Sequence, residues 1–332
     1  MRAWVVAAGS TSAAGLARVE RPEPTPSAGQ VLVRMRAVSL NYRDQAVVKG
    51  QYFGGPVARD LVPVSDGAGE VVAVGAGVTT VAVGDRVAGT FFQPTPQGAA
   101  ALGSPLDGLL SDYAVLWEGG VVHIPDALSF EGAACLPCAG VTAWHALFGV
   151  GRPILPGDTV LVLGTGGVSM LALQLARAAG ARVVVTSSSD DKLARARALG
   201  ASDGICYART PQWDQELLRL TGGQGADCVV EISGAGTLAR SYQSVARNGK
   251  VVLIGFLGGP QGDTAPHPLM MKGASLHGIF VGDRAMFEAL LRAVEVNGLE
   301  PVIDRVFGFE EAAEAYAYQA AAGFVGKIVI AL

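Results

Sequence analysis

A two-domain α/β chain is predicted, with a doubly wound parallel six-stranded sheet in its middle and a mostly β domain built from its two ends. Three observations predict it. From about Ile124 to Asp283, short apolar runs alternate with helical patterns. The N-terminal region is instead rich in Gly and Pro, with short strands and few helix signals. The length, 332 residues, exceeds one ordinary core. The expected division is 1–123, completed by 284–332, and 124–283.

The middle region is read element by element. Val160–Leu163 is a strand that runs into Gly164-Thr165-Gly166-Gly167-Val168-Ser169. Val168–Ala179 follows as a helix whose small face, Ala172, Ala176 and Ala179, suits close packing on a sheet, and Gly180 stops it. Arg182–Ser187 is the second strand, and Asp190–Leu199 the next helix, stopped by Gly200. Strands at Asp203–Tyr207, Asp227–Ile232, Lys250–Gly255 and Leu276–Val281 complete the set, with helices at Trp213–Thr221 and Leu238–Arg247. In the first domain the expected strands are Val31–Val38, Gly69–Gly75 and Arg86–Gly89. Gln93–Ser104 reads as a mobile surface loop. A helix at Phe309–Ala322 and a strand at Lys327–Ile330 return to this domain.

Composition excludes several function classes. Half the residues are apolar, 16% are charged, and the formal net charge is −4. The basic residues are scattered, so neither nucleic acid nor an anionic membrane is expected as a partner. Gly132–Gly151 and Thr159–Ala176 approach a membrane span in length and lack charge. Pro137 breaks the first, and three glycines at a strand-to-helix turn explain the second better. The N-terminal apolar stretch is too short for a signal peptide and reads as a strand. Of the four cysteines only Cys135 and Cys138 are close, and no second pair completes a zinc knuckle. Reduced thiols in a cytoplasmic protein are the simplest reading.

The glycine turn carries the first functional expectation. A dinucleotide's pyrophosphate needs glycines for a tight turn and close backbone approach, and a helix N-terminus with free N–H groups behind them. Gly164 and Gly166 fill the first two positions, Gly167 and Val168 open the helix, and Ser169 stands where the third glycine is usual. With a strand before and a helix after, this is a Rossmann-type fingerprint. Cofactor choice is read about 20 residues on, where an acidic residue would bind a ribose 2′-OH and repel a 2′-phosphate. Here stand Thr186, Ser187, Ser188 and Ser189, then Lys192, which favours NADPH over NADH. In the alternative, Ser189 or Asp190 caps the next helix and Lys192 is a solvated charge.

NYRD at 41–44, DGAGEVVAVG at 66–75, VGDRV at 83–87 and GVTAWHAL at 140–147 join with PGDTVLVLGTGGVS at 156–169, SSSDDKLARARALGA at 187–201 and GKIVI at 326–330. Over its whole length the chain resembles the medium-chain dehydrogenase/reductase superfamily. It looks most like the zinc-independent branch that includes quinone oxidoreductases and zinc-free alcohol-dehydrogenase-like proteins. The resemblance implies a GroES-like β domain beside the Rossmann domain, and an active site in the cleft between them. It also implies a homodimer formed through the edge strand at 276–281.

Zinc-dependent relatives hold a metal with Cys, a His-Glu pair and a further Cys or Asp. The matching positions here are Asn41, Ser65-Asp66 and Cys138, and the four-cysteine lobe of structural zinc is absent. One thiolate with an amide and a hydroxyl does not make the soft tetrahedral site zinc prefers, so no metal is expected. Without a Lewis acid, hydride addition to an activated C=C is the favoured reaction, because hydrogen-bond donors can meet an enolate's charge. By resemblance, Asn41 and Thr142 border nicotinamide and substrate, and Tyr52, ahead of Tyr42, is the proton donor or oxyanion partner. Tyr207 lies near the adenine, Gly255, Phe256, Val281 and Gly282 along the nicotinamide half, and Lys327 near the cleft.

Each residue has a plainer reading. Asn41 and Thr142 could be helix caps, and Tyr52 a half-buried loop aromatic. Asp44 orients its segment, and His123 and His145 serve structure. Two rival functions stand beside the first: alcohol or carbonyl chemistry by hydrogen bonding alone, and a non-catalytic NADPH-binding protein.

Overall fold

The computed structural model describes residues 1–259 and 261–332. The chain divides into two units, Met1–Ala139 with Asp283–Leu332, and Gly140–Gly282. This boundary differs from the expected 123/124. The reason is local packing: the short helix at Phe130–Ala134 lies on the strands at Gln30–Leu40 and Asp66–Val74, so 124–139 belong to the first unit.

Along the first unit run β1 (Arg2–Val6), β2 (Leu16–Glu20), β3 (Gln30–Leu40), α1 (Tyr42–Val48), β4 (Asp66–Val74), β5 (Arg86–Gly89), β6 (Phe92–Thr95), β7 (Gly98–Ala101), β8 (Tyr113–Trp117), β9 (Val121–His123) and α2 (Phe130–Ala134). The second unit holds α3 (Val141–Trp144), flanked by π-helical turns at Leu136–Gly140 and His145–Gly149. It continues with β10 (Thr159–Leu163), α4 (Gly167–Ala178), β11 (Arg182–Ser187), α5 (Asp190–Ala198), β12 (Asp203–Cys206), α6 (Trp213–Leu220), β13 (Ala226–Glu231), α7 (Ala235–Ser244), β14 (Val245–Leu253), α8 (His267–Lys272) and β15 (Ser275–Gly278). The chain then returns as α9 (Arg284–Asn297), β16 (Ile303–Gly308), α10 (Ala312–Ala320) and β17 (Lys327–Ala331).

The second unit is the expected parallel six-stranded sheet, in the order β12-β11-β10-β13-β14-β15. Strand order reverses between β10 and β13, the place where open α/β sheets bind ligands at their carboxyl ends. Val160, Leu161 and Val162 of β10 and Val183, Val184 and Val185 of β11 are all fully buried. Continuous apolar runs are what a sheet covered on both faces requires. The same fact explains the second span-like stretch, which is β10 with the buried face of α4; the first, Gly132–Gly151, is a series of short helical turns that is mostly buried. Among the described residues no helix is long and apolar enough to cross a membrane.

Several expectations are corrected. The helix predicted at Leu238–Arg247 is α7, Ala235–Ser244, and Val245 already opens β14 because its backbone pairs with Ala226. The strand predicted at Leu276–Val281 stops at Gly278, and Val281 lies outside it at a φ of 53°. Gln93–Ser104 is largely a hairpin, β6 with β7, rather than an irregular loop. Its anchor is the buried Gln93 amide, which donates to Thr90 O (3.0 Å) and Gly120 O (2.8 Å) and accepts from Trp117 N–H (3.1 Å).

In the first unit a seven-stranded sheet runs β16-β17-β3-β4-β5-β9, with β8 also on β3. The C-terminal segment completes this unit as expected, with β17 antiparallel to β3. Long-range bonds tie it down: Trp4 Nε1 donates to Phe309 O (2.9 Å), Ser39 Oγ to Ile328 O (3.1 Å) and Gln45 Nε2 to Tyr316 O (2.6 Å). Between Met35 and Ala37 the β3 register against β4 shifts, and Gly69 sits opposite Met35 at that bulge. A Cβ on Gly69 would lie 2.1 Å from Arg34 O, so only glycine lets the strands close there.

Helix α1 presents Asn41, its N-cap. Asp44, three residues in, turns back so that its Oδ2 accepts the Asn41 N–H at 2.7 Å, half of a capping box. Asp44 is fully buried, and burial pushes its carboxyl up to about 6 against the opposing pull of Arg43 and the Asn41 N–H.

Two outcomes are expected. Gly69→Ala should cost about 2–4 kcal/mol, because the obstacle is backbone, and should lower the urea midpoint of the first unit; an unchanged midpoint would contradict the close approach. Asp44 keeps its proton in the folded chain at pH values where the unfolded chain has lost it. Its contribution is therefore present below about pH 4 and lost as pH rises to about 6, at most about 3 kcal/mol. Asp44→Asn should remove that slope, read from urea unfolding of both proteins across the window; parallel profiles would sink the assignment.

Candidate functional site

In the second unit the strand β10 ends at Leu163 and the backbone turns at Gly164, whose φ is 72°. Gly166 is the N-cap of α4, and a Cβ on it would meet nothing within 4 Å, so the outer side of the turn is open. Gly167 and Val168 begin the helix and direct its first N–H groups outward. Ser169, in the third-glycine position, is fully buried, and its Oγ donates to Leu163 O at 2.7 Å. The side chain thus braces the turn from behind and leaves the phosphate side unobstructed.

The serine cluster after β11 divides. Thr186 and Ser187 are buried, and the Thr186 hydroxyl faces the Gly164 N–H at 3.4 Å, so it supports the turn itself. Ser188 is exposed. Ser189 caps α5, its Oγ accepting the Lys192 N–H, as the plainer reading had it. Tyr207, 44% exposed, follows β12 and is tied beside this strand end by its N–H to Ser187 O (2.9 Å).

Two charged residues at this end escaped the sequence reading. Arg209 makes a two-pronged ion pair with Asp190, Nη2 to Oδ1 at 2.8 Å, which holds that carboxylate's pKa low and offsets its charge beside Ser188. Glu231, fully buried at the end of β13, accepts from Ser233 N–H (2.7 Å), Gly234 N–H (3.1 Å), Thr237 Oγ1 (2.8 Å) and Ser241 Oγ. It fixes the turn into α7, where Gly255 approaches Ile232 so closely that a Cβ would lie 2.7 Å from its carbonyl. Phe256 is more than half exposed. The Arg209–Asp190 pair had no local signal; Glu231 had one, since the Ser-Gly and Thr after it are donors within reach of a carboxylate.

Thr142 is buried on α3. His145 follows one turn later, and its Nδ1 lies 2.7 Å from Val281 O. A carbonyl only accepts, so this nitrogen carries the proton. His145 is thus engaged with the chain's own backbone. Val281 is buried and left-handed, a costly conformation for a β-branched residue, and Gly282 beside it is half-buried.

In the first unit a cluster of buried charges surrounds the other predicted residues. Lys327 Nζ donates to Leu40 O (2.8 Å) and Asn41 Oδ1 (2.6 Å). Its ammonium is thereby directed onto this unit's own atoms. With its oxygen so engaged, the Asn41 amide offers Nδ2, which has no hydrogen-bond partner. Ser65 Oγ donates to Asp66 Oδ1 (2.7 Å), and the Cys138 N–H to Asp66 Oδ2 (2.9 Å). Burial, then the Asp66 charge, pushes the Cys138 thiol far up, so it stays protonated. The Arg43 guanidinium lies 4.7 Å from the Tyr52 ring centre and 4.8 Å from that of Phe91, and donates to Leu102 O (2.7 Å) and Ser104 O (3.1 Å). Tyr52 is half-buried on this cation, whereas Tyr42 is 63% exposed. Asn41, Lys327, Asp66 and Cys138 form one group. Arg43, absent from the sequence reading, links Tyr52 to it. Among the described residues no three His, Cys, Asp or Glu side chains converge as a metal-binding group.

Comparison with known proteins agrees with this architecture. The model of the alcohol dehydrogenase GroES-like domain matches residues 27–126, and that of the zinc-binding dehydrogenase residues 167–295. A zinc-type alcohol dehydrogenase-like protein of Schizosaccharomyces pombe is 44% identical over 316 residues, covering 91% of this chain and 90% of its own length. A solved NAD-dependent alcohol dehydrogenase superposes with a TM-score of 0.91 at 34% identity, and a Pseudomonas syringae quinone oxidoreductase with 0.85 at 28%; each pair is covered over 100% of both chains. With a GroES-like unit, a Rossmann unit and relatives matched nearly end to end, this chain belongs to the medium-chain dehydrogenase/reductase superfamily.

Proposed function

We propose that this oxidoreductase reduces an electron-poor C=C bond, in a quinone, enone or enoyl compound, with NADPH and without zinc. One observation carries the proposal: the three positions where zinc-dependent relatives place metal ligands hold an amide, a hydroxyl and a lone thiol, and the first two are engaged with the protein itself. Asn41 Oδ1 accepts from Lys327, Ser65 donates to Asp66, and Cys138 supplies a lone, partly buried thiol. A neutral amide and a hydroxyl beside a single thiol do not make the soft tetrahedral set that zinc prefers. They do fit a site that meets negative charge with N–H donors, and Asn41 Nδ2 and Arg43 Nε are both buried there without a hydrogen-bond partner.

The open glycine turn, the α4 N-terminus and the Glu231-braced turn are suited to a nicotinamide dinucleotide. Ser188, Lys192 and Tyr207 stand at the end that would receive its adenosine. The pairing of Asp190 with Arg209 removes the main objection to a 2′-phosphate there, so NADPH is favoured over NADH. When bound, the reduced cofactor supplies a hydride. The chain's own part is to orient the acceptor through the Asn41 amide and Thr142, and to return a proton from the Tyr52 hydroxyl, whose ring is held by Arg43.

A second reading, alcohol or carbonyl chemistry, is favoured by the names of two of the relatives, one of them NAD-dependent. The plain edge of β15, with the exposed Met270, Met271, Leu276 and Phe280 nearby, supports assembly as a homodimer, and four free cysteines suit a reducing cytoplasm.

NADPH oxidation followed in chelator-containing buffer should proceed with benzoquinones and enones at the rate seen without chelator. Activity confined to alcohols or aldehydes and abolished by chelation would overturn the proposal in favour of the second reading. NADPH binding without turnover on any acceptor would instead mark a binding protein. Tyr52→Phe should lower kcat by about tenfold to a hundredfold and leave NADPH affinity unchanged, as loss of a proton donor requires; an unaltered kcat would remove Tyr52 from the chemistry.

A further inference from the structure

We infer that His145 is a positioning residue for the nicotinamide half of the cofactor, holding Val281 in a left-handed conformation that valine on its own would leave. The inference rests on the proposal that Val281 and Gly282 border the nicotinamide. Three observations carry it. Val281 has a φ of 53°, and its buried, β-branched side chain opposes that value. Its carbonyl is gripped by His145 Nδ1 at 2.7 Å. The residue that grips it lies one helical turn after Thr142, itself predicted to border the nicotinamide, so both side chains issue from one face of the same helical segment.

The surrounding chain shows why a grip is needed. Ile279 is still tied to the sheet, its N–H donating to Leu253 O at 3.1 Å. By Asp283 the chain is already the N-cap of α9, and accepts the Met286 N–H. Between these anchors lie only a few residues, and the left-handed conformation falls on Val281 rather than on the adjacent Gly282. A glycine would adopt this conformation without cost, but would also leave it freely. Valine held by an external donor is confined to one orientation, and with it the peptide groups on either side of Val281. Strain of this kind persists only where neighbouring structure enforces it. Beside the packing of its buried side chain, the polar contact on Val281 is the His145 hydrogen bond, which a substitution can remove.

The test compares binding of NADPH with that of 2′,5′-ADP, which lacks the nicotinamide, by titration of the full-length protein. His145→Leu should weaken NADPH by about tenfold or more and leave 2′,5′-ADP within about twofold. His145→Asn, whose Nδ2 can occupy the place of the imidazole Nδ1–H, should restore most of the difference. In His145→Leu combined with Val281→Gly, part of the affinity should return, since glycine needs no restraint to hold a positive φ. If the leucine variant does not fold, His145→Gln, which keeps a polar side chain but moves the donor by a bond, should show the same selective loss. Equal weakening of both ligands, or none of either, would overturn the role of His145. The underlying proposal fails separately: wild-type protein that binds neither ligand has no such cofactor, and one that binds both equally draws nothing from its nicotinamide half. In either case the inference falls with it.

Discussion

The ammonium of Lys327 is buried at the start of the last strand of the chain, and much of the first unit is arranged around that fact. A charge out of water must be met by oxygen, and Lys327 finds Leu40 O and Asn41 Oδ1. Those two bonds join β17 to the point where β3 gives way to α1, about as far apart in sequence as the chain allows. They also settle which end of the Asn41 amide is occupied. The carboxylates of Asp44 and Asp66, both fully buried, share the same neighbourhood, and each is anchored by a backbone N–H, from Asn41 and Cys138 respectively. Architecture and candidate chemistry therefore draw on one set of charges. Lys327 cannot be replaced by an apolar residue without leaving acceptors and carboxylates uncompensated.

The second unit solves a different problem. A dinucleotide site must be open in front and rigid behind, and its rigidity comes from polar side chains facing inward. Ser169 bonds across the glycine turn, Thr186 supports its first N–H, and Glu231 gathers four donors behind the neighbouring turn. None of these needs to touch a ligand to matter. A buried carboxylate with every donor in place specifies one backbone path, and misplacing it would leave four donors unpaired.

Backbone strain marks each unit. Val64 and Val281 are both valines with positive φ, and both are buried. Val64 immediately precedes Ser65-Asp66, and Gly108 packs so closely on it that a Cβ there would lie 2.3 Å from the Val64 carbonyl oxygen, while a Cβ on Gly103 would be in tight contact with its backbone at 3.0 Å. There the strain is enforced by packing; at Val281 it is enforced by His145. In both places the unusual turn re-aims the residues that follow, which ordinary strand geometry would point elsewhere.

Periodicity and punctuation made most of the fold legible. Continuous apolar runs ended by Gly or by a capping serine can only be buried parallel strands and their helices, and the six-stranded sheet follows them closely. The glycine turn, the Asn41 helix start and the missing metal-ligand types were equally plain, because each depends on residue identity at short spacing. What failed were features set by distant partners. The hairpin at 92–101 depends on Gln93 reaching Gly120 and Trp117, and the true helix at 235–244 on where Val245 finds Ala226. Arg209 meets Asp190 across two strand ends, Arg43 stacks on Tyr52 and Phe91, and Lys327 turns to Asn41 from the far end of the chain. The sequence by itself determined the architecture, the glycine turn and the residue types at the candidate catalytic positions. Only the tertiary structure decided which of those side chains are engaged and by what, because a buried charge or strained carbonyl takes its partner from whatever the fold brings within about 3 Å.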